Sequence, residues 1–192
     1  MSRKRPWLAR DASLLEELKT SGSRKIDHKA ELNRRLHLLI SREMCPDQAV
    51  AWLKTEAREE RRKRFILSEN SNARVGIYPA IALSRLQHLQ DGARLTLAVL
   101  VEKTSQLVSY NVGLQGRGRE TDAPWYARID LTEQPEGEGP CGHPLLHCHV
   151  GVDSSNKGEP ETRVPLPFLT PAEALDWLLA TADPALEPTD SD

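Results

Sequence analysis

The sequence predicts an α+β fold: an N-terminal helical hairpin, then an antiparallel sheet of about four strands backed by a C-terminal helix. Three observations carry that expectation. Leu32, Leu36, Leu39 and Ile40 recur at helical spacing near the N-terminus. Four later runs, around residues 95–101, 108–114, 125–131 and 146–152, place apolar residues at alternate positions, the period of a strand with one face buried. Thr170-Pro171-Ala172-Glu173 then combines an N-cap threonine, a first-turn proline and a glutamate placed to close a capping box.

At 192 residues the chain suits one domain with an appended helical segment. Hydrophobic residues make up 39% and charged residues 28%, so some of the chain is expected to be exposed or loosely ordered. The net charge of −2 hides an asymmetry. Residues 1–64 hold 17 Lys/Arg against 10 Asp/Glu, and the remainder holds 9 against 18. A basic front and an acidic back can draw nucleic acid to one end or attract each other. No apolar run reaches the ~20 residues that span a bilayer, and Met-Ser-Arg-Lys-Arg lacks the apolar core of a signal peptide. Three cysteines make no disulfide framework. A cytoplasmic protein with no membrane partner is the expectation.

In chain order, residues 1–67 read as a basic helical segment. Ser13-Leu14-Leu15-Glu16 has capping-box form and predicts a short helix before Ser21-Gly22-Ser23, in an arm expected to be mobile. Residues 28–43 form the first arm of the hairpin. Pro46 opens the second, with Ala49, Val50, Leu53 and Ala57 on its apolar side. Its later half carries Arg58, Arg61, Arg62, Lys63 and Arg64, which form either a solvated helix face or a phosphate-contacting surface. No aromatic is interleaved there, which argues against single-strand stacking.

Residues 75–182 read as the α+β domain. Residues 68–74 are a polar linker, and residues 79–90 carry Ile81, Leu86 and Leu89 on a helix stopped by Asp91-Gly92. Strands follow. In the third, Trp125, Ala127, Ile129 and Leu131 share one side and Tyr126, Arg128 and Asp130 the other. Residues 132–144 make a Pro-, Gly- and Glu-rich loop far longer than the ~2–5 residues of an ordinary hairpin, either a functional flap or a disordered excursion. The closing helix, to about residue 181, buries Leu175, Leu178 and Leu179. Residues 183–192 read as an acidic tail without structure.

The stretch from Cys141 to His149 holds half of the six histidines and two of the three cysteines. On a strand, Leu146, Cys148 and Val150 face one side, so His147 and His149 project from the other. If the third and fourth strands are antiparallel neighbours, their apolar sides share one core. Tyr126, Arg128, Asp130, His147 and His149 then gather on the opposite face. Two imidazoles suit acid–base work near neutrality, and a guanidinium suits a phosphate. Cys141, His143, His147 and His149 are also competent zinc ligands, although their spacing matches no common structural zinc pattern. A third alternative is a polar sheet face on which the histidines have no chemical role. Cys45, Cys148 and Trp177 read as packing residues.

The strand around Val108-Ser109-Tyr110, then Trp125-Tyr126-Ala127-Arg128-Ile129-Asp130, then His143-Pro144 and His147-Cys148-His149, then a closing helix, resembles the layout of TumE-like bacterial toxins over about residues 95–182. The resemblance implies a ribonuclease of a toxin–antitoxin pair, with an antitoxin-like protein partner and Arg128, Asp130, His147 and His149 as the active-site positions. This chain departs from that pattern in its longer acidic loop and its N-terminal helical part. The functional expectation is thus a metal-independent ribonuclease in which Arg128 binds phosphate, His147 and His149 share acid–base duty, and Asp130 orients a neighbour. The alternative is a non-enzymatic module that binds nucleic acid or protein, its His/Cys cluster structural or holding zinc.

Overall fold

The computed structural model describes residues 26–57, 62–68, 80–102, 106–132, 145–152 and 162–188. The expected helix at residues 13–19, the loop at 133–144 with Cys141 and His143, Arg58, Arg61, and residues 189–192 lie outside the described residues. Among the described residues the architecture is dominated by one eight-stranded antiparallel sheet, with three α-helices. The expected helical hairpin followed by about four strands is therefore wrong. One long helix precedes the sheet, and the sheet begins about forty residues earlier than the periodicity suggested.

Helix α1 (His28–Ser41) forms where the leucine spacing placed it. Its N-cap Asp27 accepts a hydrogen bond from the Ala30 amide, and Leu32, Leu36 and Leu39 are buried. The predicted second arm is a single turn, α2 (Ala49–Trp52), followed by strands β1 (Leu53–Ala57) and β2 (Lys63–Leu67). The reason lies in Phe65, Ile66 and Leu67, which are all buried. The three form a continuous buried run at the end of β2, which carries neither the alternation of a half-buried strand nor a helical stripe.

Residues 79–90 likewise do not form a helix. β3 (Ala80–Leu83) buries Ile81 and Leu83 at strand spacing. Arg85 then takes a left-handed backbone (φ 64°), with its amide held by the Asp91 carboxylate at 2.8 Å, which no helix accommodates. Gly92, at φ 91°, turns the chain into β4 (Ala93–Val101), at the stop the sequence marks. β2 and β3 pair with successive stretches of the same edge of β4, β2 along residues 98–101 and β3 along 93–96.

The four strands read from the alternation are all present. β4 pairs with β5 (Leu107–Arg117), β5 with β6 (Pro124–Leu131), and β6 with β7 (Leu146–Gly151). β8 (Thr162–Pro165) completes the sheet order β1-β2-β4-β5-β6-β7-β8. Helix α3 (Pro171–Ala182) has the complete capping box on Thr170 and Glu173. It lays Leu175, Leu178 and Leu179 on the same side of the sheet as α1. Trp177, expected to pack, is 42% exposed.

One core joins both helices to the sheet, from Leu32 through Val112, Ile129 and Cys148 to Leu186. The expected basic helical segment therefore contributes to the core of the α+β part. The tail is also shorter than expected, because a 3-10 turn at Pro184–Leu186 buries Leu186. Arg35 of α1 forms an ion pair with Asp176 of α3 at 2.7 Å, a contact between the basic front and the acidic back of the chain.

Candidate functional site

Register decides which side chains meet. In the β6–β7 pairing, Arg128 stands opposite His149 and Asp130 opposite His147, while Ile129 stands opposite Cys148 and Leu131 opposite Leu146. The second set belongs to the core. The first therefore lies on the other face, as the alternation requires. The β5–β6 register adds Asn111 beside Asp130 and Gly113 beside Arg128.

The four expected residues converge. His147 Nε2 and His149 Nε2 lie 2.8 Å apart, and the rings are tilted by 59° with centroids 4.6 Å apart. His149 Nε2 lies 3.1 Å from Asp130 Oδ2, and the same oxygen accepts a 2.7 Å hydrogen bond from Arg128 Nε. Asn111 Nδ2 donates to the other oxygen, Asp130 Oδ1. His147 and His149 are buried, 2% and 3% exposed, whereas the Asp130 and Arg128 side chains retain 16% and 25%. The guanidinium sits over the Tyr126 ring, 5.9 Å from its centroid, within cation–π range.

The electrostatics of Asp130 follow from this shell. Burial pushes its carboxyl up. The His149 hydrogen bond, the charges of Arg128 and His149, and the Arg128 hydrogen bond outweigh burial together and hold it below the ordinary carboxylate value. Burial raises the Cys148 thiol to about 11. Cys148 belongs to the core and contributes no ligand on the histidine face.

Asp130, His147 and His149 form a candidate metal-binding triad, each offering one donor atom, with all three atoms within 4.8 Å of one another. Ligands bound at ~2.0–2.1 Å around one ion stand ~2.9–3.4 Å apart, close to the 2.8 and 3.1 Å that separate two of the three pairs. Two imidazoles and a carboxylate suit zinc and its first-row neighbours. The carboxylate also has an outer hydrogen bond of the kind that orients a ligand, from Asn111 to Oδ1. Of the expected zinc set, His147 and His149 are joined by Asp130, which that set did not include; Cys141 and His143 lie outside the described residues.

The described part of the basic run does not join this site. Of its residues, Arg62, Lys63 and Arg64 are described, at the start of β2 and not on a helix; Arg62 lies 4.0 Å from Glu102. β4 and β5 separate β2 from β6, roughly 14 Å at the usual strand spacing. Asn111 and Gly113 were not singled out from the sequence. The signal was available, since both have the opposite parity to Tyr110, Val112 and Leu114 on the same strand. An added Cβ at Gly113 would stand 2.6 Å from Thr96 Oγ1 and 3.4 Å from Arg128 Cγ, so this glycine lets the Arg128 stem lie close to the sheet.

No family model matches the chain, and neither the curated proteins nor the solved structures compared with it yield a match. No helix among the described residues is long and apolar enough to cross a membrane.

Proposed function

We propose that Arg128, Asp130, His147 and His149 form the active site of a phosphodiester-cleaving enzyme acting on RNA, and that the triad works there around a divalent ion of the zinc class. The observation that carries this reading is the convergence of three donors: His149 Nε2 lies between His147 Nε2 and Asp130 Oδ2, and one donor atom from each residue lies within 4.8 Å of the others. A metal-free acid–base pair needs each imidazole to offer a nitrogen to substrate. Here the two reactive nitrogens face each other, on rings that are almost wholly buried. Each Nε2 carries either a proton or a lone pair. A single proton on His149 Nε2, shared between Asp130 and His147, is the most that this arrangement accommodates without a clash of lone pairs or of hydrogens. A cation satisfies all three donors at once.

The three protein ligands found among the described residues would leave a coordination position open, the pattern of catalytic sites, whereas structural zinc sites close with four. Water bound there would lose a proton near ~pH 7, supplying a nucleophile. Arg128 would hold a phosphate oxygen and stabilise the charge that develops on it. The layout resemblance to TumE-like toxins supports RNA as the substrate.

The test combines metal content with cleavage of a mixed RNA by protein prepared metal-free and then given zinc, cobalt or manganese. Asp130→Ala and His147→Ala should lose both metal and cleavage. Arg128→Ala should keep the metal and lose cleavage by about 10²–10³-fold. Circular dichroism on each variant separates these losses from unfolding. Cleavage that survives chelation would return the site to metal-free acid–base chemistry. Stoichiometric metal with RNA retained but uncut would make the chain a binding module.

A further inference from the structure

We infer that the site takes its metal ion and a phosphate group as a coupled pair, because Arg128 and the metal compete for one oxygen of Asp130. This rests on the metal reading above. The geometry behind it is specific. Arg128 Nε donates to Asp130 Oδ2 at 2.7 Å, and that same oxygen lies 3.1 Å from His149 Nε2 on the side where the ligands converge. Oδ1 is held by Asn111 Nδ2, so the carboxylate is not free to turn and give each cation its own oxygen. Asn111 is itself buried, 8% exposed, which keeps that hold away from water.

A divalent ion on Oδ2 would leave three positive charges facing one negative charge in a partly buried cluster. At that depth solvent screens charges weakly, and two cations sharing one oxygen repel each other strongly. A phosphate group relieves the repulsion by offering oxygens to both the guanidinium and the open coordination position, a planar fork matched to phosphate geometry. The arginine is built for such a handover. Its stem lies close over Gly113 and its head sits at the Tyr126 ring, so the head can change partner without moving the strand. In the metal-free protein the guanidinium holds Asp130. In the loaded protein it holds the phosphate. Linkage then requires each ligand to tighten the other by the same factor.

The experiment is a cobalt(II) titration of metal-free protein, read by visible absorption, with and without methyl phosphate. Methyl phosphate should tighten cobalt binding by about tenfold or more. Sequestration of cobalt by free methyl phosphate would act in the opposite direction, so it cannot imitate the result. Arg128→Gln should bind cobalt more tightly than the wild type in the absence of methyl phosphate, and should lose the tightening. Wild-type cobalt affinity unchanged by methyl phosphate overturns the coupling and leaves the metal site standing. A wild-type protein that never develops cobalt absorption overturns both.

Discussion

Asp130 is where the energetics of single residues concentrate. Its carboxyl is held below the ordinary value, so it contributes stability above the unfolded carboxylate range of ~3.9 and loses it as pH falls through the lower folded value. Acid unfolding below about pH 4 should therefore be shallower in Asp130→Asn than in the wild type, measured by fluorescence against pH. Cys148 makes a second prediction. With its thiol raised to about 11, less than roughly one molecule in a thousand is thiolate at pH 8. Cys45 is raised to about 11 as well, chiefly by burial. Peptide mass spectrometry after iodoacetamide should find both unmodified in native protein and labelled in urea. If Asp130 holds the proposed ion, Asn111→Ala should weaken metal binding by about 10–100-fold without moving the melting temperature far, because the amide holds the carboxylate and is not in the triad.

At the scale of elements, what was legible was local. The Thr170 box depends on four consecutive residues, and the helix it caps runs from Pro171 as expected. Thr170→Ala should cost about 1 kcal/mol, visible as a lower melting temperature with the fold retained. The histidine strand was legible for a related reason, since a period of two assigns faces without knowledge of any neighbour. β1, β2 and β3 were not. β1 and β3 are short, with only one and two fully buried residues to show a period, and Phe65-Ile66-Leu67 of β2 offers no alternation to read. The preceding Arg61-Arg62-Lys63-Arg64 does not decide between helix and strand, because a charged run before an apolar one suits a helix surface as well as a strand entry.

The molecule as a whole behaves as one packing unit. Leu32, Leu36 and Leu39 from α1 share a core with Leu175 and Leu178 from α3, and the Arg35–Asp176 pair fastens the two helices. A fragment beginning at residue 75 would lose α1, β1 and β2 and expose β4 along the edge that β2 covers. It should fail to give a cooperative thermal transition by circular dichroism, whereas the full chain should give a single one.

By itself the sequence determined that Arg128, Asp130, His147 and His149 share the face of their strands opposite the core, because alternation along β6 and β7 is a property of the backbone and needs no partner. Tertiary structure decided the rest. Only the register of β6 on β7 brings Asp130 to the imidazoles, and only the β5 neighbour supplies Asn111 and Gly113. Distances between side chains on different strands depend on pairing across tens of residues. That information is in the fold and in no short stretch of the chain.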